Sequence, residues 1–143
     1  MIPRSLVPIL MLTFSPILRA QGDWEETRSI AQSQHEIILL LIEKKEFDEV
    51  PPAAEEIFKL HFPPEHEDKL VEEIRILTDA LLHHNQTSIA HQLLDKGLAK
   101  VTVNRSKAEL HREKAYLFKR EGKADEAMNA FKLAKEIEQR TDP

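Results

Sequence analysis

Apolar residues along this chain recur every three or four positions in six blocks, and over no strand-length window do they alternate with polar ones. The first block, residues 25–45, is polar in its first half and ends in the unbroken run Ile37-Ile38-Leu39-Leu40-Leu41-Ile42. Such a run predicts a helix covered on more than one side, inside the molecule. The second block opens at Phe47-Asp48-Glu49 and carries Pro51 and Pro52, which only a first helical turn accepts. It presents Ala54, Ile57, Phe58 and Leu60 and ends at Phe62-Pro63-Pro64.

Glu65, Glu67 and Asp68 then suit the positive end of a third helix, with Leu70, Ile74, Leu77 and Leu81 at helical spacing and a stop near His84-Asn85. Thr87 or Ser88 is placed to cap a fourth helix through Ala90, Leu93, Leu94 and Leu98, and residues 101–104 form a short connection. Ser106-Lys107-Ala108-Glu109 reads as the capping box of a fifth helix, which Gly122 ends in a left-handed conformation, and a sixth covers residues 124–139. The expected fold is all-α, six helices in three antiparallel helix-turn-helix pairs.

Aligning the pairs on the small or apolar residue early in each second helix puts Val50, Ala90 and Ala127 in register, at separations of 40 and 37 residues. In the last pair, Ala115 and Phe118 supply a small and a large position, and Gly122-Lys123-Ala124-Asp125-Glu126-Ala127 leads to Phe131 and Ala134. Small side chains let helix axes approach, and the large one fills the space between successive pairs. This pattern resembles the tetratricopeptide repeat, whose period is about 34 residues. The resemblance covers residues 31–140 and is best at the C-terminus; the middle copy keeps Ala90, Leu94 and Gly97, the first Glu46-Phe47-Asp48-Glu49, Ala54 and Ile57. His111 and Lys114 stand where the family usually has tryptophan and leucine, Gln139 where it usually has proline, and Pro51-Pro52 is foreign to it. The resemblance implies a right-handed stack that presents a binding surface; the alternative is a generic helical bundle.

At 143 residues and 41% hydrophobic content the chain suffices for one domain with its own core. No cysteine is present, which excludes disulfides, thiol catalysis and cysteine-containing zinc sites. The N-terminus has the layout of a secretory signal peptide: a basic start at Arg4, an uncharged apolar run over residues 5–18, and Leu18-Arg19-Ala20 before polar Gln21-Gly22-Asp23. The expected organisation is a cleaved segment 1–20 and a helical repeat domain 21–143, exported to the periplasm or secreted and without stable membrane insertion. Residues 21–80 hold sixteen acids and six bases, and residues 81–143 hold nine acids and twelve bases. That polarity could orient a partner or favour head-to-tail self-association. Bases interleaved with acids argue against nucleic acid as a partner.

Catalysis finds no support: three glycines cannot build a phosphate loop, and no Ser, His and acid fall in a triad pattern. No cofactor is expected. Among seven histidines, His83, His84 and His91 form the best cluster, which gives the alternative reading of a small exported bundle binding a metal or small ligand. No two histidines lie four apart and no Glu-x-x-His occurs, so neither a zincin nor a di-iron helix is encoded. The preferred expectation is a non-enzymatic adaptor that binds a protein or peptide. In tetratricopeptide repeats the groove is lined by the polar residues of each first helix that face away from its paired helix. Carried onto this chain, they are His35, then Arg75 and Asp79, then Arg112, Tyr116 and Lys119. Arg112 and Lys119 would hold a carboxylate, Tyr116 would give a flat contact, and Asp79 would select a basic group.

Overall fold

A computed structural model describes residues 16–140, with side chains from residue 23. The expected leader, residues 1–20, lies mostly outside the described residues. Six helices follow one another: α1 (Pro16–Glu43), α2 (Val50–Phe58), α3 (Glu67–His83), α4 (Thr87–Lys100), α5 (Asn104–Arg120) and α6 (Ala124–Gln139). Short 3-10 turns, Phe47–Glu49 and Pro64–His66, precede α2 and α3, and no strand occurs among the described residues. The all-α expectation holds. Helix α1 starts nine residues before the expected 25, and α2 stops at Phe58, ahead of the proline pair at 63 and 64.

The three pairs turn on one backbone geometry. After α1, α3 and α5 come Lys45, Asn85 and Gly122, with φ of 61°, 58° and 77°. In each turn the next residue donates its N–H five residues back: Glu46 to Leu41 O, Gln86 to Leu81 O and Lys123 to Phe118 O, all at 2.9 Å. The left-handed residue itself donates three residues back, to Ile42, Leu82 and Lys119. This is the Schellman closure, which satisfies the last carbonyls of a helix. Glu46, Gln86 and Lys123 then share one conformation, with φ/ψ of −91°/61°, −93°/60° and −94°/74°. Five residues past each left-handed position lie Val50, Ala90 and Ala127, all buried, so the alignment read from side-chain pattern coincides with a threefold repeat of backbone geometry.

Helix α1 packs on α2 and α3, α2 also on α4, α3 on α4 and α5, α4 on α5, and α5 on α6. A single core runs through Ile38, Ile42, Leu70, Ile74, Leu81, Leu94, Leu110 and Leu117. Helices α5 and α6 carry the buried small residues Ala108, Ala115, Ala127 and Ala134, as close approach requires. Gly97 serves the same end in α4, because a Cβ there would meet Ile74 Cδ1 at 2.6 Å and Leu110 Cδ1 at 3.1 Å.

Three sequence expectations are corrected. Helix α1 lies at the end of the described fold: Ile38 and Ile42 are buried, but Ile37 is 48% and Leu40 56% exposed, since among the described residues α2, α3 and the turn Phe47–Glu49 pack on it from one side. Neither Thr87 nor Ser88 caps α4; the cap position is Gln86 and makes no side-chain capping bond. The capping box at Ser106 is not formed either, because α5 already begins at Asn104. Glu67 in α3 serves the link just ahead of α5, taking the N–H groups of Thr102 and Val103.

Candidate functional site

Between α1 and α3 the packing leaves a cleft of about 270 Å³, with Trp24, Ala31, Phe62 and Ile76 as its apolar part. Trp24 is held from two sides, stacked on His66 at 4.0 Å and 3° between planes and edge-on to Phe62 at 5.8 Å. His35 projects from α1 into this cleft and is 8% exposed. Its Nδ1 has no hydrogen-bond partner. Burial lowers its pKa, against a smaller opposing pull from Glu36, so the ring is neutral at pH 7.

From α3 the cleft receives Glu73, whose buried Oε2 also lacks a partner. Burial first, and then repulsion from Glu72, push this carboxyl up to about 7. The remaining charged lining is Arg28 and Glu36 on α1 and Lys69 and Glu72 on α3, the last two 4.0 Å apart. Two polar atoms that burial normally satisfies are thus left without partners, one from each helix of the cleft.

The six residues expected to line a groove fall at three stations. His35 lies in the α1–α3 cleft. Arg75 and Asp79 are exposed on α3, and Arg75 Nε pairs with Glu113 Oε1 of α5 at 3.0 Å. Burial raises Glu113, which Arg75 opposes and Asp79 reinforces. Arg112 reaches α6, giving Nη1 to Glu138 Oε2 at 2.7 Å and Nη2 to Oε1 at 3.5 Å. Tyr116 is 55% exposed and leans edge-on against Phe131 at 5.1 Å. Lys119 is exposed beyond it. The stations succeed one another across α1, α3 and α5 without converging on one point, and Arg112 and Tyr116 reach toward the paired helix α6, not away from it as expected.

No family model, curated protein or solved structure matches this chain. The site rests on its own chemistry.

The histidines of the alternative reading are drawn apart. His84 lies against Phe47, with ring centres 5.6 Å apart, while His91 Nε2 meets Glu121 Oε1 at 2.5 Å and packs on Phe118. Among the described residues no three His, Asp or Glu side chains gather as a metal site. A second groove of about 340 Å³ opens between α4 and α6, lined by Leu98, His111, Lys114, Phe118 and Leu133. Two of its polar members, His111 and Lys114, are residues that depart from the tetratricopeptide pattern, and α6 has no packing contact with α4 there. Sequence reasoning missed Trp24 and Glu73. An acid on an amphipathic helix looks solvated until another helix covers it, so no local signal marks Glu73. Trp24 carries a weak one, as the chain's single tryptophan.

Proposed function

We propose that this chain is an exported, non-enzymatic scaffold of tetratricopeptide type that holds a protein partner on the face made by α1, α3 and α5. The observation that carries the reading is exposed apolar surface on that face. Ile76, 44% exposed at the cleft mouth, and Tyr116 both stand among charged side chains. Apolar anchors inside a charged rim are the composition of a docking surface. The packing of α3 on both α1 and α5 supports it too, since it brings the three first helices into neighbouring positions. Export rests on the basic, apolar and small-residue order of the first twenty positions. No described helix is long and apolar enough to cross a membrane.

The test is cross-linking in the native cell followed by mass spectrometry of what is joined to this chain. It compares the parent with an Ile76→Asp, Tyr116→Ala double variant of equal helicity. The expected result is one or a few partners captured by the parent and lost in the variant, with the captured chain starting at Gln21. Capture that the double variant leaves unchanged removes this face as the docking surface.

A further inference from the structure

The cleft between α1 and α3 has features that a general docking face does not need. Two of its lining residues, Glu73 from α3 and His35 from α1, each carry a buried hydrogen-bonding atom without a partner, Oε2 and Nδ1, beside the apolar surfaces of Trp24, Phe62, Ala31 and Ile76. A carboxylate oxygen accepts hydrogen bonds, and so does His35 Nδ1 in the neutral tautomer that carries its proton on Nε2. His35 is more than nine-tenths buried, so its missing partner is not replaced by bulk water. We infer that this cleft takes a basic side chain of the bound protein, an arginine or lysine whose apolar stem lies along Trp24, Phe62 and Ile76 while its N–H groups meet Glu73 and His35. The inference rests on the scaffold reading only for the source of the cation.

Shape and charge both favour that occupant. About 270 Å³ is room for one long side chain and little more. A stem of methylenes ending in several donors is amphipathic in the same sense as the cleft, apolar along the wall and hydrogen-bonding at the end. The charged groups facing Glu73 are Arg28, His35 and Glu36 from α1 and Lys69 and Glu72 from its own helix, with His66 behind Trp24. Acids therefore outnumber the fixed cations, and Lys69 already lies toward Glu72. Arg75, on the other flank of α3, is held by Glu113 and does not line the cleft. An entering cation restores the charged form of Glu73, so binding releases a proton and tightens as pH rises through about 7. Protonation of His35 at low pH opposes binding in the same direction.

The chain's single tryptophan lies in this cleft, so its fluorescence reports occupancy directly. The experiment titrates the full chain with the capped tripeptides Gly-Arg-Gly and Gly-Lys-Gly, and with Gly-citrulline-Gly as an uncharged match for arginine, at pH 8 and pH 5.5. The inference expects a saturable change in Trp24 emission with at least one basic peptide and none with citrulline. It also expects about a tenfold or greater loss of affinity at pH 5.5, and loss of the response at pH 8 in Glu73→Gln of unchanged helicity. Free argininamide separates the sources: a response stronger than that of the tripeptides means a free small cation is the ligand and overturns the peptide assignment. No saturable response, an equal response to citrulline, or an undiminished response in Glu73→Gln overturns the cleft itself. Partner capture that depends on Ile76 and Tyr116 but survives Glu73→Gln would leave the scaffold reading standing and remove this inference alone.

Discussion

The Glu67 carboxylate and the Thr102 backbone N–H, thirty-five residues apart, meet at 3.0 Å through both carboxylate oxygens. Thr102 Oγ1 adds a bond at 2.6 Å and the Val103 N–H one at 3.0 Å, so a single buried side chain at the start of α3 ties down the link between α4 and α5. Burial alone would raise the pKa of Glu67. The hydrogen bonds from Thr102, Val103 and Ser106 outweigh it and hold the carboxyl below its ordinary value.

Glu67→Gln keeps the shape but cannot accept all these donors, and leaving one or more unsatisfied costs about 1–3 kcal/mol. Because the folded pKa is lowered, the stabilisation is present above the ordinary carboxylate pKa and disappears as pH falls through the lowered folded value. Melting temperatures from pH 7 down to pH 3 should show the parent above the variant at neutral pH and the gap closing in acid. A constant gap would mean that the carboxylate's charge is not what the link depends on.

Lys45 occupies a left-handed position that costs an ordinary L-residue about 1–2 kcal/mol, whereas Gly122 occupies the equivalent one without strain. Lys45→Gly should therefore stabilise the chain by up to about 1 kcal/mol, once the larger chain entropy of glycine is subtracted. Gly122→Lys should destabilise it by a similar amount, though nothing lies within 4 Å to clash. Urea unfolding of the two variants should shift in opposite directions; a shift of the same sign in both would show that the turns are not equivalent.

Ala127 is buried in α6, and Asn129, two residues on, is exposed. Replacing Ala127 with leucine should overpack the α5–α6 contact at a cost of about 1–3 kcal/mol, while Asn129→Leu should be nearly neutral. Thermal melting of both variants tests the register on which Val50, Ala90 and Ala127 were aligned. Equal melting of parent and Ala127→Leu would contradict a close crossing at that residue.

Glu73 reverses the pH argument made for Glu67. Its folded pKa is raised, from an ordinary 4.5 to about 7, so its contribution to stability is fully present below 4.5 and is lost as pH rises through about 7. Glu73→Gln removes that penalty. The variant should be more stable than the parent at pH 8, by roughly 1–2 kcal/mol after allowing for partial solvent screening, and close to it at pH 4. A variant less stable than the parent at pH 8 would place Glu73 in a favourable contact, not in an uncompensated one.

Local signals in the sequence were read correctly where the physics is local. Gly122 marks its own turn because only glycine takes positive φ without cost, and Leu70, Ile74, Leu77 and Leu81 mark a helix face by spacing alone. Lys45 takes the same backbone conformation but carries no such mark, since lysine is a poor residue for it and is there because the surrounding turn imposes it. The missing caps have a different cause: the acceptor that serves the link just ahead of α5 is Glu67, and no window around Ser106 contains it. A continuous apolar run places Ile37 and Leu40 inside; their exposure among the described residues depends on which helices pack on α1, which a helix cannot announce by itself. The cleft was half legible. His35 was marked through the repeat alignment, but Glu73 and Trp24 come to it from segments far apart in sequence.

Second helices of nine, fourteen and sixteen residues all leave the same corner. About six backbone residues thus decide where the chain heads next, whatever the length of the arm that follows. Direction at the corner and length of the arm therefore vary independently among the three pairs, and it is the arm that sets how far the chain runs before it turns back.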